Sequence, residues 1–170
     1  MTHPRESRRR GALVLEMLLA VPILVALLVA AVQYMAVIVV ESAITQASIV
    51  GAREAGKAAT VQQIVDSMNV VLAAHNIQLN SAGSGTKIVI ENRPGATTTI
   101  ESYGDSGLTC VPPTTPSTAT IVSANEVRVT LCVAFSAPKS NGKPLIGPYN
   151  AFGFMFGNRK FQTSSVVGHE

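Results

Sequence analysis

Three sets of residues in this chain are of types that do chemistry. Glu16 is the only formally charged side chain between Gly11 and Glu41, inside an otherwise almost uniformly aliphatic run. Cys110 and Cys132 are the only two cysteines. Ser106, in Gly104-Asp105-Ser106-Gly107, and His75, in Ala73-Ala74-His75, are a hydroxyl and an imidazole of the kinds that serve as nucleophile and base. A carboxylate deep in an apolar span costs about 2.5–3.5 kcal/mol on insertion scales, so Glu16 calls for a cationic partner. Two thiols in an oxidising compartment call for each other.

The setting of Glu16 gives the first topological statement. Arg8-Arg9-Arg10-Gly11 leads directly into the apolar run of residues 12–40. A hydrocarbon core is roughly 30 Å thick and a helix rises 1.5 Å per residue, so about twenty such residues span it. The run can cross a membrane and still project beyond it. Arginines just before a span hold the N-terminus in the cytoplasm and send the rest outward. A cleaved secretory signal has an apolar region of only about 7–15 residues and then a small-residue cleavage site; a plain signal anchor fits the length better. In an anchor, Glu16 would snorkel to the inner interface. If instead the bond after Gly11 is cut, Ala12 becomes a free ammonium and Glu16 is the fifth residue, placed to pair with the α-amino group of its own or a neighbouring subunit.

Glycine, cleavage and a glutamate at the fifth mature position resemble type IV prepilins and pseudopilins. The finer resemblance is to the TadE-like minor pseudopilins of the tight-adherence (Flp, type IVc) pilus system. Those proteins typically read Gly-x-x-x-x-Glu-(aromatic)-Ala-Leu-x-x-Pro; this chain has Gly11, Glu16, Met17, Leu18, Leu19, Ala20, Val21 and Pro22. The Glu-to-Pro spacing is kept, and Met17 stands where the aromatic is usual. Val32-Gln33-Tyr34 resembles the family's polar break late in the span, with Gln33 where an acidic residue is common. Ala47-x-x-x-Gly51-Ala52-Arg53-x-Ala55 resembles its Gly-Ala-Arg signature after the membrane helix. The resemblance covers residues 11–55. It implies a prepilin peptidase substrate cut between Gly11 and Ala12, a charge-pairing role for Glu16, and a family motif of Pro22, Gly51, Ala52 and Arg53.

Composition narrows the rest. With 170 residues there is room for the anchor and one small domain. The net charge of +3 is that of Arg5, Arg8, Arg9 and Arg10 against Glu6, so residues 12–170 are formally neutral. With three tyrosines and no tryptophan, they offer no basic, aromatic-lined surface for nucleic acid. Gly104-Asp105-Ser106-Gly107 and Ala73-Ala74-His75 resemble the nucleophile and histidine segments of trypsin-like serine proteases. They are only about thirty residues apart, in a portion too short for a double barrel, and Gly-Asp-Ser-Gly is also an ordinary turn sequence. No Walker loop, zincin helix or dinucleotide fingerprint is present. The expectation is no enzyme, no cofactor, no metal and no small-molecule substrate. Cys110 and Cys132, both on the outer side of the membrane in this topology, are expected to form a disulfide. Its closed loop would add about 3 kcal/mol in the chain-entropy model; two free buried thiols are the alternative.

These residues rest on an expected α+β frame: a long N-terminal transmembrane and stalk helix, then a small exported head of helix and antiparallel sheet. The segments are a basic leader (1–11), a transmembrane helix (12–40), a stalk (41–58) and the head (59–170). In the stalk, Val40, Ile44, Ala47, Gly51, Ala55 and Ala58 recur at steps of three and four. That face of small residues would pack on its own head or against neighbouring subunits. Gly56 is expected to end the first helix. Thr60 with Gln63 predicts a capping box for a second, whose apolar stripe of Val61, Ile64, Val65, Met68, Val71 and Leu72 ends near Asn76. Residues 80–86 are turn-rich. Strands are expected over Lys87–Glu91 and Thr97–Tyr103 around a turn at Asn92–Gly95, over Glu126–Phe135, and through Lys160–Val167. The Pro/Thr stretch Val111–Thr120 reads as an exposed loop inside the disulfide. Residues 151–157, with Phe152, Phe154 and Phe156, read as a loop folded over the core, or as an apolar contact for another pilus subunit or the outer leaflet.

Together these features point to a minor pseudopilin in the bacterial inner membrane with an exported C-terminal domain. Its expected partners are the membrane, other pilins, the assembly platform and the prepilin peptidase. Three rivals stand beside it: an uncleaved single-pass envelope scaffold of the same family, a secretion-system pseudopilin whose head binds exported substrate, and a membrane-tethered hydrolase.

Overall fold

The computed structural model describes residues 5–80, 84–93, 97–113, 125–135, 137 and 159–169, with helix side chains from Val14 onward. Helix α1 runs without interruption over Arg5–Gly56, 52 residues, and takes part in two compact units, 1–38 and 39–170. The divisions expected after Gly11 and after Val40 therefore correspond to no break in the backbone. The change near Val40 is one of burial: Val39 is half exposed, whereas Val40 is 8% exposed and Ile44 1%.

In the first unit the helix shows its large apolar side chains to the surroundings. Leu15, Leu18, Leu24 and Leu28 are each more than 60% exposed. In hydrocarbon, where no water satisfies peptide groups, a chain must bond them internally, which favours helix even for β-branched residues. Pro22 lies inside α1 and removes one ladder hydrogen bond without ending the helix. The helix is long and apolar enough to cross a membrane.

The second unit is α+β. It holds the end of α1, helix α2 (Val61–Ala73), and a four-stranded antiparallel sheet of β1 (Thr86–Arg93), β2 (Thr99–Gly104), β3 (Glu126–Ala134) and β4 (Lys160–Gly168), ordered β2-β1-β3-β4. The expected stalk face does pack within this unit. Val40, Ile44, Ala47, Gly51 and Ala55 are all buried. Ala58 is not: it lies past the helix end with φ 58°, exposed in the turn toward α2. The Thr60–Gln63 capping box forms, and Ile64, Val65, Met68 and Leu72 are buried along α2. The helix stops at Ala73, three residues before the expected end. A turn through Asn76, at φ 58°, lets the Ile77 amide donate to the Leu72 carbonyl. The Asn69 side chain then holds the departing chain at both backbone groups of Leu79, accepting from its N–H at 2.8 Å and donating to its carbonyl at 3.3 Å.

The strands fall within two residues of their expected ends: β1 and β4 are longer than expected, β2 begins two residues later, at Thr99, and β3 ends one residue earlier, at Ala134. Pairing of Asn92 with Thr99 closes β1 and β2 as a hairpin; of the expected turn, Asn92 and Arg93 belong to β1, and residues 94–96 lie outside the described residues. Val127, Val129, Leu131 and Val133, alternate residues of β3, are each 0% exposed. Ile88 and Ile90 on β1 stand directly opposite Leu131 and Val129, so the two central strands carry the core. At the β4 side, the Ser48 hydroxyl on α1 hydrogen-bonds that of Ser165 at 2.7 Å.

One feature differs from simple alternation. Arg128, Thr130 and Cys132, on the opposite face of β3, are buried as well, at 9%, 0% and 0%. A segment following β2 explains this. The Lys160 ammonium donates to the Thr109 carbonyl, the Gln162 amide to the Val111 carbonyl, and Arg128 to the Pro113 carbonyl at 3.0 Å. Residues 109–113 thus form a strap across the second face of the sheet. Of the expected Pro/Thr loop, Val111 and Pro113 are exposed, and residues 114–120 lie outside the described residues, as does the aromatic segment 151–157.

Candidate functional site

Most residues singled out in the sequence lie on α1. Gly11 and Ala12 fall within its N-terminal part, and Glu16 lies about one turn beyond. Glu16 is exposed and has no ion-pair partner among the described residues. The next polar side chains along the helix are Gln33 and Tyr34. From Glu16 to Tyr34 the helix climbs about 27 Å, close to the thickness of a hydrocarbon core. Glu16 and Tyr34 thus bracket a membrane-length stretch, with Tyr34 where an interfacial aromatic belongs. The Gln33 amide nitrogen is buried and has no hydrogen-bond partner among the described residues.

Gly51, Ala52 and Arg53 divide by role. A Cβ on Gly51 would stand 2.5 Å from the Met68 sulfur and 2.9 Å from its Cγ, so glycine lets α1 approach α2 closely. Ala52 is 0% exposed. Arg53, by contrast, is exposed on the last turn, where a cation faces the negative end of the helix dipole. Two of the three signature residues are therefore packing positions.

Cys110 and Cys132 are joined, with Cα atoms 5.7 Å apart. The bond fixes the strap to the C-terminal part of β3. Four residues back along β3 lies an ion pair that sequence reading did not anticipate. Glu91 and Arg128 are register partners on β1 and β3, and the Arg128 Nε donates to the Glu91 carboxylate. Each side chain is 11% exposed. The Thr130 and Ser164 hydroxyls bond at 2.8 Å in the same face. In sequence, Glu91 and Arg128 stand 37 positions apart, and only the pairing of their strands brings them together.

The Ser106 segment is a turn. Asp105 accepts from the Gly107 amide at 2.8 Å with one carboxylate oxygen and from the Gly85 amide at 3.0 Å with the other. Its own amide donates to the Thr86 carbonyl at 2.8 Å. Ser106 and His75 share no hydrogen bond among the described residues. Among the described residues no group of three or more His, Cys, Asp or Glu is placed to hold a metal ion.

No protein-family model matches the chain, and neither does any curated protein or any solved structure.

Proposed function

We propose that this chain is a minor pseudopilin of the TadE-like kind, acting in assembly of a tight-adherence pilus through helix packing rather than by catalysis. The observation that carries the reading is α1 itself, with one charge, Glu16, in its exposed apolar part and a tail packed into an α+β unit. In this reading the leader is removed after Gly11 by the prepilin peptidase. The helix stands in the inner membrane, and residues 59–170 form an exported head that meets other pilins and the assembly platform. The new Ala12 ammonium and the Glu16 carboxylate would both lie in or near hydrocarbon, where neither charge is stable alone. Pairing between subunits offsets that desolvation and sets the axial register.

One observation favours a second reading, the uncleaved single-pass scaffold. The Glu16–Tyr34 distance lets both side chains sit at opposite interfaces of a static span, with no subunit partner required. Glu16→Gln separates the two. It removes the charge while keeping size and hydrogen bonding. The pseudopilin reading expects normal membrane levels but loss of piliation and of co-purification with other pilins. Wild-type piliation by Glu16→Gln would favour the scaffold.

A further inference from the structure

Residues 109–113 cover the second face of the sheet without pairing to any strand. Among the described residues, no backbone hydrogen bond ties this strap down. It is held by the Cys110–Cys132 bond and by three side chains: Lys160, Gln162 and Arg128 donate to the carbonyls of Thr109, Val111 and Pro113. Lys160 and Gln162 are exposed, so water competes for two of these three bonds. Fixing the backbone of one residue costs at least as much as one such hydrogen bond contributes, so three bonds do not hold five residues in place. The disulfide supplies the difference.

What the strap covers is largely polar. Glu91, Arg128 and Thr130, at 8%, 9% and 0% exposure, are groups that water solvates well. Of the buried residues on this face of β1 and β3, only Val89 is aliphatic. The apolar core lies on the other face, where Val127, Val129, Leu131 and Val133 join Ile64, Met68 and Leu72 of α2 in one cluster. Lifting the strap therefore gives up little apolar burial and leaves that core untouched.

We infer that the strap is a redox-sensitive cover, shut while Cys110 and Cys132 are joined and open once they are reduced, over a helix-and-sheet unit that stays folded in both states. Cys110 is partly exposed and Cys132 is 0% exposed, so a dithiol reductant reaches the sulfur of Cys110. Attack there expels the Cys132 thiolate. The reductant's second thiol then displaces Cys110 and leaves as an intramolecular disulfide. Two electrons pass to the protein, and the two thiolates it gains are protonated to thiols. Opening hydrates the Glu91–Arg128 pair and turns Cys132 from a sheltered sulfur into a reactive thiol. This behaviour belongs to the unit of residues 39–170 and is independent of any role for Glu16.

The test uses the full chain in detergent micelles, reduced with dithiothreitol under native conditions and pulsed with iodoacetamide. Peptide mass mapping should find Cys132 alkylated within about tenfold of the rate at Cys110. Cys110→Ser opens the strap without a reductant and should alkylate Cys132 at the rate of the reduced wild type. The amide NMR spectrum of α2 and of the paired β1 and β3 should stay dispersed in both chains. Alkylation of Cys132 more than about tenfold slower than that of Cys110 in the reduced wild type, found in either chain, overturns the inference, because the strap would then stay shut without its bond. Collapse of the dispersed spectrum also overturns it, because the bond would then hold the whole unit rather than its cover.

Discussion

The buried Glu91–Arg128 pair offers the most quantitative test of how the sheet and its strap are held. Both side chains are 11% exposed, and the guanidinium also donates to the Pro113 carbonyl. Removing one partner strands a charge where water hardly reaches it. For such pairs the cost of breaking is about 3–5 kcal/mol, whereas replacing both by apolar residues of similar volume is often neutral. Glu91→Gln retains an acceptor for the Arg128 N–H, so the lower end, about 3 kcal/mol, is the expected loss. Arg128→Met loses the strap contact as well and should cost slightly more. The double variant Glu91→Met/Arg128→Met should lie within about 1 kcal/mol of wild type and so be more stable than either single variant. Hydrogen exchange of β1 and β3 amides, in the full chain in micelles, reads this directly. A 3 kcal/mol loss lowers protection by about a hundredfold, because each 1.4 kcal/mol is a factor of ten. The reasoning is refuted if the single variants lower protection less than about fivefold, or if the double variant is as damaged as the two singles added together.

Other consequences are simpler to measure. Gly104 has φ +118°, and a Cβ there would meet the Thr86 carbonyl oxygen and lie 2.9 Å from the Lys87 Cα; Gly104→Ala should cost about 3 kcal/mol. Gly107→Ala meets only the movable Asp105 carboxylate at 3.3 Å and should change stability by about 0.5 kcal/mol or less, both variants being read by the same hydrogen-exchange assay. Asn69→Ala strips both backbone groups of Leu79 of their partner, and a loss of about 1–3 kcal/mol is expected, read as faster exchange at residues 77–79. Non-reducing peptide mapping of protein from its own membranes should recover the Cys110 and Cys132 peptides linked; recovery of both as free thiols would contradict the strap.

The elements were legible where one physical signal dominated. The capping box at Thr60 and Gln63 and the stripe of α2 follow from local spacing, and both are found where their residues predict them. The burial of Val40, Ile44, Ala47, Gly51 and Ala55 followed the three-four rhythm of the stalk, and Ala58 departed from it because the helix had already ended. What could not be read was set by register between distant strands. Glu91 and Arg128 look like solvent-facing charges in their own strands, and become buried partners only once β1 and β3 align and residues 109–113 cover them. The Asn69 clamp on Leu79 was hidden for a similar reason, since an asparagine within a helix gives no local sign of bonding a chain ten residues on.

The processing event decides the central claim. If this is an assembling pseudopilin, protein purified from its own membranes, in cells with an active prepilin peptidase, should begin at Ala12. Its intact mass should then be lower by that of residues 1–11, and replacing Gly11 with a bulky residue should restore the longer form. An intact mass retaining Met1 or Thr2 in those same cells would contradict the account and leave the uncleaved scaffold in its place.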